Sequence, residues 1–454
     1  MTEARAHWSG RLGFILAASG SAVGLGNIWK FPYMAGVNGG GAFVLIYLLC
    51  IAVIGLPILI AEIYIGRSSQ HNAVKAFETL DKPGSPWRYA GLLGLVSAFL
   101  ILSFYSVVGG WVLDFELKSL MNQFATQSDD TIKGYLGGLF SSPSKLILWH
   151  TVFMALTIGI VLGGVSKGIE RASKILMPTL MVLLVLLLVR VAVMDGFMPA
   201  VKFLFSADFS KLNWEAILEA VGHSFFTLSL GMGAMITYGS YLKKDENIIN
   251  TAVTVALLDT VIALISGLVI FAVVFSYNQD PSAGPTLMFV TLPLLFKQIA
   301  GGYLISSAFF ILVAFAALTS AISLLEVVVA YWEENKGWDR KRTTIVIGGV
   351  IYILGILCAL SFNVLADFKV FGIYNIFDLF DTLTSKIFLP LGGMVISLYY
   401  GWVLGPKAVQ ATFSKPVANV IWQGLMWSAR VLAPIAVAYM LLKGMFEIFE
   451  KIIG

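Results

Sequence analysis

The sequence predicts an all-α polytopic membrane protein of eleven transmembrane helices, and three observations carry that prediction. Hydrophobic residues make up 58% of the 454 residues and charged residues 12%, with a mean hydropathy of +0.87. A chain this apolar cannot cover a soluble globule with a polar surface. Apolar runs of about twenty residues, the length that crosses roughly 30 Å of hydrocarbon, recur along the whole chain. Two of these runs are interrupted by closely spaced glycines, at Gly20-Ser-Ala-Val-Gly-Leu-Gly-Asn27 and Phe226-Thr-Leu-Ser-Leu-Gly-Met-Gly233. A helix broken at mid-membrane leaves N–H and C=O groups unpaired, which is tolerable only where they line a cavity or hold a ligand. Paired breaks in corresponding places of two halves mark a binding site.

In chain order the runs span 11–37, 41–69, 88–120, 146–163, 168–195, 214–241, 248–277, 304–334, 342–361, 371–402 and 418–447. The first begins near Leu12 without the short apolar stretch and small-residue cleavage site of a secretory leader, so its retention is expected. Pro57, Pro178 and Pro390 fall inside runs and predict kinks. Lys and Arg collect in loops that stay in the cytoplasm. Arg5, Arg11, Arg67, Lys75, Lys82 and Arg88 fall on one side, with Lys167, Arg171, Lys174, Lys243, Lys244 and the basic stretch 336–342. The other side holds the sparser Lys118, Lys133, Lys145 and Lys297. The N-terminus is therefore expected in the cytoplasm and Gly454 outside, in a multi-pass protein of the cell's inner (plasma) membrane. The segments 121–145 and 278–303, rich in Ser, Gly, Asp, Gln and Pro, read as external loops, one of them a lid.

Each half opens with a glycine-interrupted run. Five helices per half place the two halves in opposite orientation, a 5+5 inverted repeat. The expected division is 1–200, 201–404 and an accessory 405–454 with the eleventh helix. The net charge of +4 is small and lies mostly in short loops, so it signals topology and no nucleic-acid surface. Cys50 and Cys358 sit in apolar runs without metal-ligand spacing and read as buried small hydrophobes. Hydropathy excludes a soluble enzyme. A channel would need a continuous polar stripe, which the runs lack. A non-transporting membrane sensor with the same binding site is the alternative to a transporter.

The first break has its own chemistry. Amides near Ala22, Leu25 and Gly26 lie at the positive end of a half-helix and suit a carboxylate. The freed carbonyls of Gly20, Ala22 and Val23 point the other way as hard oxygen ligands, and Asn27 adds a side-chain oxygen. Asp259 stands in the apolar run Val-Ala-Leu-Leu-Asp-Thr-Val-Ile. A mid-membrane Asp costs about 2.5 to 3.5 kcal/mol on insertion scales, so a partner is expected and a bound cation is the natural one.

The residues of 20–33, Asn38-Gly-Gly-Gly-Ala-Phe43, Gly168-Ile-Glu-Arg171, Phe225-Phe-Thr-Leu-Ser-Leu-Gly231 and Leu318-Thr-Ser320, with Trp8 and Arg11, resemble the neurotransmitter:sodium symporter family. The resemblance covers ten helices and continues less distinctly into the eleventh. The family's usual twelfth is missing, as in its eleven-helix bacterial amino-acid transporters. It implies a LeuT-like fold with helices 1 and 6 unwound at mid-membrane. The implied activity is sodium-coupled import of neutral, bulky hydrophobic or aromatic L-amino acids by alternating access, with a monomer sufficient.

What the resemblance implies for the site is specific. One sodium ion is expected on Ala22, Asn27, Thr227, Asp259 and the substrate carboxylate, and a second on Gly20, Val23, Ala316, Thr319 and Ser320. The substrate is expected among Ala22, Leu25, Gly26, Ile101, Tyr105, Phe226, Thr227, Ser229, Met232, Ser320 and Leu324. These are mostly apolar and offer no charge to a side chain. Lys30 and Asp381 form the implied outer gate, above an aromatic lid of Tyr105 and Phe226. Arg5, Trp8, Ser240, Tyr241 and Glu334 form the implied inner gate.

Several positions depart from the family's structural reference. Asp259 replaces an asparagine, while Ala263 stands where that reference has a glutamate in place of chloride, so Asp259 is expected to replace chloride as well as bind sodium. Chloride is therefore not expected as a cofactor. His223 replaces a glutamine and reads as a neutral spacer, or as a group able to take a proton. Lys30 stands where most relatives have arginine, and lacks its bidentate fork, which predicts a looser or water-bridged gate. Glu334 replaces an aspartate. Met232 replaces a phenylalanine and can yield volume to a large side chain.

Overall fold

Helical hydrogen bonding is given up at two places, and the rest of the molecule is arranged around them. The computed structural model describes residues 6–82, 84–282, 284–413 and 419–453. α1 is broken into Arg11–Ala22 and Gly26–Val37, which meet at 50°. It is followed by α2 (Gly41–Ser69), α3 (Arg88–Leu120), α4 (Pro143–Leu162) and α5 (Val165–Val191). α6 is broken into Trp214–Thr227 and Ala234–Gly239. Then come α7 (Ile248–Ser276), α8 (Gly302–Lys336), α9 (Arg340–Leu360), α10 (Ile376–Ala411) and α11 (Val420–Ile452). Among the described residues, nine helices are continuous, long and apolar enough to cross a membrane, and the two pieces of α1 taken together make a tenth; the shorter pieces of α6 stand where the sequence places the remaining span.

The first half of α1 packs against α5, α7, α8 and the second half of α6, so both breaks lie in the middle of the bundle. Phe14, Phe31, Tyr47, Phe225 and Phe271 are fully buried around them. Outward faces such as Val182, Val185, Leu186 and Val189 on α5 and Ile345 and Ile353 on α9 are apolar and exposed, as a helix facing lipid requires. Close approach needs small residues: a Cβ on Gly94 of α3 would stand 3.0 Å from the backbone nitrogen of Gly233.

Two of the three prolines sit beside a local change of helix type. Pro57 and Pro390 lie inside continuous spans, each just after a wider π-helical turn, at Ile51–Gly55 and Thr384–Phe388, the local adjustment by which a membrane helix accommodates a proline. Pro178 lies within Arg171–Val191. The segments 121–145 and 278–303 hold more helix than their composition suggested. Asp129–Phe140 is helical because Ser128 accepts from the Thr131 amide and two aspartates occupy the first turn. Thr291–Gln298 forms another helix, and Lys297 joins the two by donating to Asp129 at 2.7 Å and to the Gln127 carbonyl at 3.0 Å.

Candidate functional site

α1 stops where Val23 turns to extended backbone, with φ −72° and ψ 107°. Asn27, just inside the restarted helix, reaches back and accepts from the Gly24 amide at 3.0 Å, satisfying a donor that the break leaves without a helical partner. The Leu25 amide donates to the Tyr105 hydroxyl at 3.3 Å. In α6 the break runs through left-handed residues, Ser229 at φ 54°, Gly231 at 77° and Gly233 at 73°. Gly231 has no room for a side chain, because a Cβ there would run into the Leu389 carbonyl of α10. Its freed amide donates to Glu62 Oε1 of α2 at 2.7 Å. The Ser229 hydroxyl donates to the Ser21 carbonyl at 2.8 Å and so ties the second break to the first.

Asp259 of α7 faces both breaks. Asn27 Nδ2 donates to its Oδ1 at 2.7 Å and to its backbone carbonyl at 3.0 Å, while Thr227 Oγ1 lies 3.0 Å from each carboxylate oxygen. The residue is 0% exposed, and no cationic side chain is within ion-pair distance among the described residues. The Asn27 amide oxygen is turned away from this carboxylate, toward Gly24. Tyr47 and His223 back the cluster: their rings lie 5.2 Å apart, and His223 also stacks on Phe31 at 6.0 Å. Neither ring nitrogen of His223 has a hydrogen-bond partner among the described residues.

On the other side of α1, Ser320 of α8 reaches the freed carbonyls. Its hydroxyl lies 3.1 Å from Ser21 O, 3.4 Å from Val23 O and 3.5 Å from Gly20 O. Thr319 Oγ1 donates to the Phe315 and Ala316 carbonyls, both at 3.0 Å. Gly20 sits against Thr319, with a Cβ there 3.2 Å from the threonine Cβ. Gly20, Val23, Ala316, Thr319 and Ser320 are thus brought together as one patch of oxygen atoms.

Between these clusters is a pocket lined by Ala22, Leu25, Gly26, Ile101, Tyr105, Phe226, Ser229, Met232, Ser320 and Leu324. Of the expected substrate-binding residues, Thr227 alone is not in the lining and turns to Asp259 instead. Ser21 and Gly24 line the pocket too, although sequence reasoning passed over both. The pocket closes on about 20 Å³, room for a single water. Tyr105 and Phe226 form its roof, because they also line a vestibule of about 200 Å³ with Trp29, Lys30, Tyr33, Phe377 and Asp381. A wider cavity of about 500 Å³ continues past Lys30 and Asp381 to α11. Lys30 and Asp381 face the same vestibule without touching: no ion pair joins them, and the ammonium sits 4.7 Å over the Phe226 ring.

The end of the bundle around Trp8 is more polar than anticipated. Trp8 is buried against Tyr238 and Tyr241, and its indole donates to the Tyr238 carbonyl at 3.0 Å. Ser240 donates to the Thr237 carbonyl. Tyr241 donates to Glu326 Oε1 at 2.7 Å, and Arg340 holds the same carboxylate at 2.5 Å while also reaching Glu333 at 3.0 Å. Glu334 accepts from the Asn72 amide at 3.1 Å and from its side chain at 3.0 Å, beside His71 at 3.1 Å. Arg5 lies outside the described residues. Glu62, Glu326 and Arg340 were missed by sequence reasoning. Glu62 and Glu326 nonetheless carry the same signal as Asp259, a carboxylate in an apolar run.

A helical membrane bundle with two broken spans meeting at a buried pocket defines a membrane transporter. The chain matches the sodium:neurotransmitter symporter family over residues 5–132 and 140–452 and belongs to that family. It is a sodium-coupled transporter and not an enzyme. It is 42% identical over 392 residues to the uncharacterized sodium-dependent transporter YhdH of Bacillus subtilis, covering 86% of each chain. An uncharacterized sodium-dependent transporter of Haemophilus influenzae is 34% identical over 428 residues, 92% of this chain and 93% of its own. Among solved structures, MhsT in complex with L-phenylalanine is 47% identical, with a TM-score of 0.89 over 97% of this chain and 100% of its own.

Proposed function

We propose that the protein imports neutral, bulky hydrophobic or aromatic L-amino acids together with two sodium ions, without chloride, by alternating access. The observation that carries this reading is the Asp259 carboxylate, fully buried, held by one residue from each broken helix and lacking a cationic side chain among the described residues. A charge so placed needs a cation, and sodium is the one this family couples to. One ion sits on Ala22, Asn27, Thr227, Asp259 and the substrate carboxylate, with the Asn27 amide turned so that its oxygen replaces the nitrogen now facing Asp259. The other sits among Gly20, Val23, Ala316, Thr319 and Ser320. The negative charge of Asp259 does locally what chloride does elsewhere in the family.

The amino acid takes the pocket between the breaks, its carboxylate on the Leu25 and Gly26 amides and its side chain against Ile101, Met232 and Leu324. L-Phenylalanine bound by the 47% identical MhsT supports this substrate class. The pocket of about 20 Å³ opens for it as Phe226, Met232 and Leu324 change rotamer. Lys30 and Asp381 close the outer side, and Arg5, Trp8, Ser240, Tyr241 and Glu334 the inner side. The repeats are 1–200 and 201–404, with 405–454 accessory, the N-terminus cytoplasmic and a monomer sufficient.

Two ions make the energetics generous. With a tenfold sodium gradient and 100 mV, two ions supply about 7 kcal/mol, enough for a ~10⁵-fold accumulation, whereas one ion allows only its square root. Counterflow in proteoliposomes with labelled amino acids, with and without sodium, tests the proposal. Sodium-dependent exchange of leucine, phenylalanine or tryptophan is expected, unchanged when gluconate replaces chloride. No sodium-dependent exchange of any of them would overturn the substrate class, and a strict chloride requirement would overturn the role of Asp259.

A further inference from the structure

On the opposite face of α10 from the second break lies an open apolar groove of about 300 Å³. Trp87, Tyr89, Ala90 and Leu93 at the start of α3 form one wall, and Leu391 and Val395 of α10 the other. The groove is almost without polar surface, and the Arg88 cation lies against the Tyr89 ring in its wall. Arg88 is exposed, lies 5.2 Å from the Tyr89 ring and has no ion pair among the described residues. Lys82 is exposed a few residues upstream, again without an ion pair among the described residues, and its neighbour Asp81 is engaged by Ser85 at 2.5 Å. An apolar slot walled by Trp87 and Tyr89, with the Arg88 guanidinium beside the Tyr89 ring, matches one chemistry, a phospholipid with its acyl chain in the slot and an anionic headgroup at the rim.

The groove also has a mechanical connection to the site. Next to Leu391, Gly392 lies so close to the second break that a Cβ there would stand 2.6 Å from the Gly231 carbonyl, and Gly393 packs on Phe225. The geometry points to an anionic glycerophospholipid bound between α3 and α10 at Arg88, bracing α10 against the α6 break from behind. This rests on the chain crossing a membrane and not on which amino acid it carries.

Native mass spectrometry of the whole protein, titrated with phosphatidylglycerol or phosphatidylcholine, tests it, read beside the thermal transition in vesicles of either lipid. The wild type should retain one phosphatidylglycerol in preference to phosphatidylcholine by about fivefold, as one cation near a headgroup implies. Phosphatidylglycerol should raise its thermal transition. Arg88→Glu should lose the preference and keep the acyl chain, whereas Val395→Trp, which fills the slot, should lose the bound lipid and the thermal shift. Should Val395→Trp not fold, Ala90→Leu fills the same slot from α3. Equal retention of the two lipids, undiminished retention in the filled variants, or a second copy of the chain in place of lipid would each overturn the inference.

Discussion

The Ser229 hydroxyl donates to the Ser21 carbonyl at 2.8 Å, so the two broken helices are joined at the place where each has lost its own ladder. Ser229 holds this bond from a left-handed backbone, φ 54°, which a residue with a Cβ adopts only at a cost. Ser229→Ala should keep the strain and lose the bond, lowering stability by about 1 kcal/mol and weakening substrate affinity several-fold. Ser229→Gly should lose the bond and relieve the strain, and so recover part of the stability without the affinity. Thermal unfolding and binding measured on the same two variants separate the effects; equal affinity in wild type and both variants would show that the link does not shape the pocket.

Asp259 has no cationic neighbour to lose among the described residues, so its neutral isostere is informative. Asp259→Asn keeps a partner for Thr227 and Asn27 but removes the charge. Uptake should then need chloride, and the sodium concentration for half-maximal uptake should rise about tenfold or more, the effect of some 1.4 kcal/mol. Sodium titrations in chloride and in gluconate measure both. Chloride-independent uptake by the variant would remove Asp259 from the role proposed for it.

Both glycine breaks are legible in the sequence because closely spaced glycines weaken an apolar helix wherever they fall, and Asp259 is legible because a lone charge there is costly. Glu62 and Glu326 carry the same signal, and both are 0% exposed. Their partners are not legible, because the contacts join distant parts of the chain. Gly231 lies 169 residues from Glu62, and the tyrosine bonded to Glu326 lies 85 residues from it, in the turn after α6. Lys30 shows the converse: its resemblance named Asp381 as its partner, while packing set the ammonium over Phe226. Most span boundaries lie within a few residues of their expected places. α10 instead runs on to Ala411, because Pro406 falls in the first turn of the stretch Gly405–Ala411, where its missing N–H costs least.

Glu62 holds the Gly231 amide at 2.7 Å from a site that excludes water. Glu62→Gln keeps an acceptor oxygen for that amide and should fold and transport close to wild type. Glu62→Ala leaves the amide buried and unpaired, a loss of about 1 to 3 kcal/mol. A lower thermal transition in the alanine variant, with glutamine near wild type, is the expected pair of results. Equal destabilisation by both would mean that the carboxylate charge matters more than the hydrogen bond.

Arg340 neutralises Glu326 at 2.5 Å in a place where Glu326 is fully buried, and Tyr241 of the α6 end bonds the same carboxylate. Removing the cation from such a pair typically costs about 3 to 5 kcal/mol, because it strands a buried charge. Arg340→Ala should therefore loosen the inner end around Trp8, while the double variant Arg340→Ala with Glu326→Gln should regain stability. Labelling of a cysteine placed at Ser240 reports the opening: it should be faster in the single variant and return toward wild type in the double.

Met232 lines the pocket from a backbone closely packed on α3, where a Cβ on Gly94 would stand 3.2 Å from the Met232 carbonyl carbon. Its side chain is 4% exposed and meets Ile101 and Leu324 in a pocket of about 20 Å³. A flexible thioether can withdraw from a large ring, whereas a phenyl group cannot shorten. Met232→Phe should lower exchange of tryptophan relative to leucine by about tenfold, a size discrimination of roughly 1 to 3 kcal/mol. Met232→Leu, nearly equal in volume, should leave the ratio within a few-fold of wild type. The ratio of counterflow rates cancels differences in expression, so an unchanged ratio in Met232→Phe would place the size limit elsewhere in the pocket.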